Sequence, residues 1–243
     1  MEARNGSGQM ETVWYGFRHS AVAIAIALVA LSAPAPAAAK PGVTVFPGME
    51  IHQGAMVCTV GFVEPRLRIA VSAGRCDEGS TVTDSKENVV GTVMLARRGT
   101  VNEPAAADSA AGVEYEVITL APEVIASELL PGGRQLQPIP GFSVQPALPV
   151  CHAGISSGQV CGRVSSVGND GFAIADMTAD QRDLGGPVYT LTDDNRAVIV
   201  GLLDGARGST LWAYSWQAVM RQLYIDARSA GPIQPPLGHT IGR

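Results

Sequence analysis

Attack on a carbonyl by a hydroxyl needs a base within reach to take its proton, so nucleophiles and bases are the first residues to place. The chain has four cysteines, Cys58, Cys76, Cys151 and Cys161, and two serine pairs, Ser156 with Ser157 and Ser165 with Ser166. Its central histidines are His52 and His152. No histidine stands in a recognisable partner position to these serines, whose turn or strand contexts suit backbone hydrogen bonding. His52 and His152 read as surface or loop residues. Charge meets turn residues in two other stretches: VSAGRC, Val71 to Cys76, and RDLGGPVY, Arg182 to Tyr189. An arginine is protonated at all physiological pH, so neither Arg75 nor Arg182 can act as a base.

What the cysteines do depends on compartment. Arg18 and His19 precede the apolar run SAVAIAIALVALSA and then PAPAAAK, with small residues where a signal peptidase reads. Residues 1–39 thus have the form of a signal peptide cleaved after Ala39, with Met10 as an alternative start. The apolar run, about 12 to 14 residues, is shorter than the roughly 20 of a membrane-spanning helix. No membrane span is expected after cleavage; a retained anchor is the alternative. In an oxidising compartment four cysteines imply two disulfides among three possible connectivities. Sequence neighbours, Cys58 with Cys76 and Cys151 with Cys161, close the shortest loops, each worth roughly 2 to 3 kcal/mol. Zinc would compete for these ligands, but there is no C-x-x-C pair, so neither metal nor cofactor is expected.

The elements that carry these residues follow from the rest of the chain. Its 243 residues are 46% hydrophobic, with 28 Gly and 16 Pro, which suits one large or two small globular units with many turns. The net charge is −5, which excludes nucleic acid and anionic membranes as electrostatic partners. Short β-branched runs alternate with turn signals: VTVF, AMVCTVGFV, LRIAVSA, NVVGTVML, YEVITL, QVCGRVSSV, GFAIADM, PVYTL and AVIVGLL. This pattern predicts an all-β barrel or sandwich. Helical spacing occurs where Trp216, Val219, Met220, Leu223, Tyr224 and Ala227 recur, predicting a C-terminal helix. A first β unit is expected over 40–125, a Pro- and Gly-rich connection over 126–140, and a second unit with the helix over 141–243.

With this frame the two charged stretches resemble the trypsin and chymotrypsin-like serine proteases. That family carries T-A-[AG]-H-C where this chain has SAGRC, and G-D-S-G-G-P where it has RDLGGP. Both motifs stand in the family's order in a strand-rich chain. Cys58 lies on the strand before Cys76, as the family's histidine-loop disulfide requires, and VIVGLLDG resembles the strand lining the specificity pocket. The resemblance covers about Val43 to Arg228. It implies two six-stranded antiparallel β-barrels with a C-terminal α-helix.

The resemblance also implies that the chemistry is missing. Arg75 stands in the place of the histidine, Leu184 of the serine, Glu114 of the orienting aspartate, and Arg182 of the first glycine, whose amide helps form the oxyanion hole. Leucine has no atom that attacks a carbonyl. A side chain at the glycine position is expected to strain the loop by about 1 to 2 kcal/mol. Asp183, Gly185, Gly186 and Pro187 would keep the scaffold, and Arg75 requires a carboxylate partner or solvent. Asp204 is read either as a negative wall of the specificity pocket or, preferably, as a solvated turn residue. The expectation is a secreted, monomeric, inactive protease homologue that binds a protein or peptide. The alternatives are a hydrolase with a relocated nucleophile and an envelope structural or adhesion module.

Overall fold

The computed structural model describes residues 42–99, 112–192, 194, 196–208 and 210–229. The signal-peptide expectation lies outside the described residues. The strands are β1 (Thr44–Val45), β2 (Glu50–Gln53), β3 (Met56–Thr59), β4 (Phe62–Glu64), β5 (Ile69–Ser72), β6 (Thr81–Thr83), β7 (Val89–Arg97), β8 (Tyr115–Leu120), β9 (Ile125–Ala126), β10 (Leu136–Gln137), β11 (Pro149–Gly154), β12 (Gly158–Val167), β13 (Gly171–Ala175), β14 (Pro187–Leu191), β15 (Ala197–Arg207) and β16 (Thr210–Ser215). One helix, α1 (Trp216–Ser229), follows.

Two sheets hold nearly all of these strands. The first runs β3-β2-β6-β7-β8-β5-β4, and its two edges, β3 and β4, are successive pieces of one chain segment, so the sheet curls on itself. The second runs β10-β15-β14-β11-β12-β13-β16 and closes through pairing of β15 with β16. β10, within the expected connection, pairs parallel to β15. This is the double-barrel architecture expected from the sequence, six antiparallel strands to each ring once β3 and β4 count as one.

Alternation along the strands divides the apolar residues among three cores. Val45, Ile51, Val63, Val82, Val90 and Ile118 fill the first barrel. Val150, Val164, Phe172, Ile174, Val200 and Leu203 fill the second. The third core is the seam, where Phe62, Tyr115, Val117, Tyr189, Leu202 and Tyr214 meet Trp216 and Val219 of α1. The Phe62 and Trp216 rings sit 5.0 Å apart, tilted at 55°. Only part of the expected apolar face of α1 is covered: Trp216 and Val219 are buried, whereas Met220 and Tyr224 are exposed. Polar contacts complete its docking, since the Asp226 carboxylate accepts hydrogen bonds from Tyr115 Oη at 2.8 Å and Arg97 Nη1 at 3.3 Å.

Glu116 breaks the apolar pattern of the first barrel. It is fully buried on β8, where Gln53 Nε2 of β2 donates to its Oε1 at 2.7 Å, and its Oε2 has no partner among the described residues. Burial pushes its carboxyl up to about 8, with Asp77 adding to the rise and Gln53 and Arg98 opposing it. A folded-state value above the unfolded one means that folding takes up a proton between about pH 4.5 and pH 8. Stability therefore falls as pH rises through that window, by up to about 1.4 kcal/mol per pH unit. Urea midpoints measured from pH 7 to pH 9, above the range in which histidines titrate, should show this decline, and Glu116→Gln should flatten it and raise stability at pH 8.

Candidate functional site

The site forms where the seam meets the loop before β14. Residues Gln181–Asp183 make a single 3₁₀ turn, capped at both ends of its first bond pair by Asp180 and Asp183. Asp180 Oδ1 accepts from Arg182 N at 3.0 Å, and Asp180 N donates to Asp183 Oδ2 at 2.8 Å. Leu184 N donates to Gln181 O at 3.3 Å. The amides of residues 182 and 184, where the resemblance led an oxyanion hole to be expected, are thus both bonded within their own turn. Arg182 is absent from the positive-φ residues, so the strain expected there does not arise: the turn's right-handed conformation accepts a side chain. Its guanidinium leaves the site and pairs with Glu50 Oε2 at 3.1 Å.

Asp183 is completely buried, with Ser156 N donating to Oδ1 at 2.7 Å and Ser157 N to Oδ2 at 3.2 Å in addition to Asp180 N. Burial alone would raise its carboxyl, but these amide donors outweigh it and hold it below the usual carboxylate range. The next residues cross to the first barrel. Thr59 N donates to Leu184 O at 2.9 Å, and Thr59 Oγ1 to Arg182 O at 3.0 Å. Leu184 is 5% exposed, with its side chain in the first-barrel core. Gly185 has φ +82°, and a Cβ there would lie 2.1 Å from Ser72 Oγ and 2.6 Å from Ala73 N, so only glycine fits.

Arg75 lies on the other wall, in the 3₁₀ turn Gly74–Cys76. Its Nε donates to Glu114 Oε2 at 3.2 Å, and its Nη2 is 3.6 Å from Asp204 Oδ1. Arg207 Nη2 reaches Asp204 Oδ2 at 3.0 Å, and its guanidinium covers the Trp212 ring at 4.5 Å. Two buried carboxylates, Glu114 and Asp204, are thus neutralised by two half-exposed arginines. Burial lifts the Asp204 carboxyl above its ordinary value although both arginines oppose the rise. The surrounding cleft, about 290 Å³, is lined by Met56, Arg75, Asp180, Leu184, Asp204 and Gly205.

Several expected placements change. Asp204 is 3% exposed on β15 rather than a solvated turn residue, because β15 and β16 continue as a hairpin through Arg207↔Thr210 and the true turn comes later. His152 is fully buried on β11 rather than on a surface or loop, with Nδ1 3.1 Å from Pro187 O and Nε2 without a partner among the described residues. Burial lowers it to about 4, against Asp183 and the Pro187 carbonyl, and leaves it neutral at physiological pH. His52 is half-buried on β2 beside Glu50, and Ser165 and Ser166 are exposed on β12. The disulfides pair Cys58 with Cys76 and Cys151 with Cys161. Asp180, Arg207 and the amides of Ser156 and Ser157 were not singled out from the sequence. Asp180 had a signal, since an acid three residues before Asp183 is the spacing of a reciprocal cap.

With this geometry in place, comparison with known proteins bears on descent. The chain is 41% identical over 190 residues to Uncharacterized protein Rv1815 of Mycobacterium tuberculosis strain H37Rv, covering 78% of this chain and 86% of that protein. The chain belongs to the Rv1815 family. Uncharacterized protein MT1863, from strain CDC 1551, gives the same identity and coverage. No protein-family model matches the chain.

Solved structures similar to the chain share the double-barrel fold. A glutamic acid specific serine protease aligns with TM-score 0.55 and 17% identity, over 75% of this chain and 98% of that one. Thermobifida fusca Protease A gives 0.53 and 19%, over 76% and 97%. Human heparin binding protein gives 0.51 and 14%, over 77% and 93%. The chain therefore has the chymotrypsin-like protease fold, and two disulfides on such a fold suit an oxidising, extracytoplasmic setting.

Removing Arg75 leaves two buried acids facing one another. Arg75→Ala is expected to destabilise by about 1 to 3 kcal/mol, below the full cost of breaking a buried pair because the guanidinium is half solvated. Asp204→Asn should relieve part of that loss, so the double variant should lose less than the sum of the single ones in urea unfolding. Gly185→Ala should cost more than about 3 kcal/mol from the clash and the positive φ.

Proposed function

We propose that the chain is an exported, catalytically silent homologue of the chymotrypsin-like proteases that acts by binding a protein or peptide. The observation that carries this reading is the loop from Asp180 to Leu184, whose residue 182 and 184 amides are both bonded inside the turn. Acyl transfer on this fold draws on those amides to stabilise the oxyanion, and on a histidine to take the nucleophile's proton. Arg75 fills the histidine position and is held by Glu114. Leu184 fills the nucleophile position with a side chain directed into a core. A binding role is consistent with what remains, a cleft walled by apolar and charged groups on a rigid double barrel. Human heparin binding protein has this fold and is named for a ligand. A polyanion suits the present chain poorly, given its net charge of −5.

A fluorophosphonate probe tests the reading on purified protein, scored by mass addition, with an active trypsin-like enzyme and a heat-denatured sample as controls. No adduct is expected. Stoichiometric labelling of a serine in the native protein would instead establish a relocated nucleophile. The variant carrying both Arg75→His and Leu184→Ser should also stay unlabelled, because restoring the side chains does not release the two amides.

A further inference from the structure

The two disulfides sit in opposite environments. Cys58 and Cys76 are 1% and 0% exposed within the first-barrel core. Cys151 and Cys161 face each other directly across β11 and β12, with Cα atoms 4.0 Å apart; Cys151 is half-buried and Cys161 is exposed. Thiol–disulfide exchange requires a thiolate to reach a sulfur, so access separates inert bridges from exchangeable ones. Arg163, exposed two residues beyond Cys161 on the same strand face, adds a positive charge that favours thiolates nearby.

The same hairpin holds the site loop. β11 and β12 pair at six positions from Pro149↔Arg163 to Gly154↔Gly158, and the turn between them supplies Ser156 N and Ser157 N to Asp183. β11 also carries His152, whose Nδ1 meets the carbonyl of Pro187 at the end of the loop. The position of the hairpin thus sets the bonds that close the turn around residues 180–184. Six backbone pairs hold the hairpin together in addition to the bridge.

We propose that Cys151–Cys161 is a thiol–disulfide exchange site for an external protein dithiol, and that its redox state sets how firmly the hairpin holds the loop at Asp183. A donor thiolate attacks Cys161 Sγ, a bond forms between donor and Cys161, and the Cys151–Cys161 bond breaks. Cys151 leaves as a thiolate and takes a proton from solvent. The donor's second thiolate then attacks its own sulfur in the mixed disulfide, releases Cys161 as a thiolate, and leaves the donor oxidised. Two electrons pass from donor to chain, and an oxidised dithiol protein runs the steps in reverse. This site does not depend on whether the cleft is catalytically silent.

Graded dithiothreitol at neutral pH, followed by N-ethylmaleimide trapping and peptide mass mapping of the full chain, tests the proposal. Cys151 and Cys161 should be alkylated at dithiothreitol concentrations about tenfold or more below those that open Cys58–Cys76. In that singly reduced form, amide hydrogen exchange at residues 156–157 and 180–184 should speed up about tenfold or more while β7 and β8 keep their protection. The variant carrying Cys151→Ser and Cys161→Ser should fold and show the same exchange pattern without reductant. Simultaneous opening of both bridges, unchanged exchange at the loop, or an unfolded double variant would each overturn the proposal.

Discussion

A single buried carboxylate organises this molecule. Asp183 is fully buried and has no cationic partner among the described residues; its charge is held by backbone amides from its own loop and from the β11–β12 turn. Charge-assisted bonds of this kind are short and strong, and a buried carboxylate that lost them would be costly. The loop therefore has little freedom, and its following residues fall where they join the barrels: Leu184 and Arg182 through Thr59 on one side, Gly185 through Leu203 on the other. The turn satisfies its own amides by closing, which is why a side chain at residue 182 costs nothing there.

The opposite wall is governed by charge balance. Two buried acids and two half-exposed arginines form a neutral group, in which Arg75 links Glu114 of the first barrel to Asp204 of the second. Attraction between such charges is large only where water is scarce, and here the carboxylates are dry while the guanidiniums keep part of their hydration. The result is a fixed bridge across the seam. An imidazole that must gain and lose a proton would need a different partner arrangement, because an unprotonated ring would leave Glu114 and Asp204 sharing one arginine.

Much of this was legible in the sequence where local rules operate. Strand alternation, the turn residues around Gly185 and Pro187, and the spacing of the cysteines each act over a few residues, and each led to the element or bridge found. A carboxylate partner for Arg75 was also anticipated, as a requirement of a charge near a barrel seam, and Glu114 supplies it. Residues whose environment comes from distant chain segments were not legible. Asp204 sits in LDGARG, which reads as a turn, but tertiary pairing extends β15 through it. His152 and Glu116 are ordinary in their local contexts and become buried only when the barrels close around them. The reciprocal cap at Asp180 was visible as a spacing but carried no hint that its partner would also bind a second hairpin.

The most direct test of the closed loop is an NMR titration of ¹⁵N-labelled protein with a peptide phosphonic acid, a tetrahedral oxyanion at neutral pH that needs no nucleophile to form and so stands for the oxyanion of acyl transfer. The account predicts that the amide resonances of Arg182 and Leu184 do not move, since both N–H groups are engaged within the turn. Saturable shifts of both resonances would contradict it and show that the loop opens into a functional oxyanion hole.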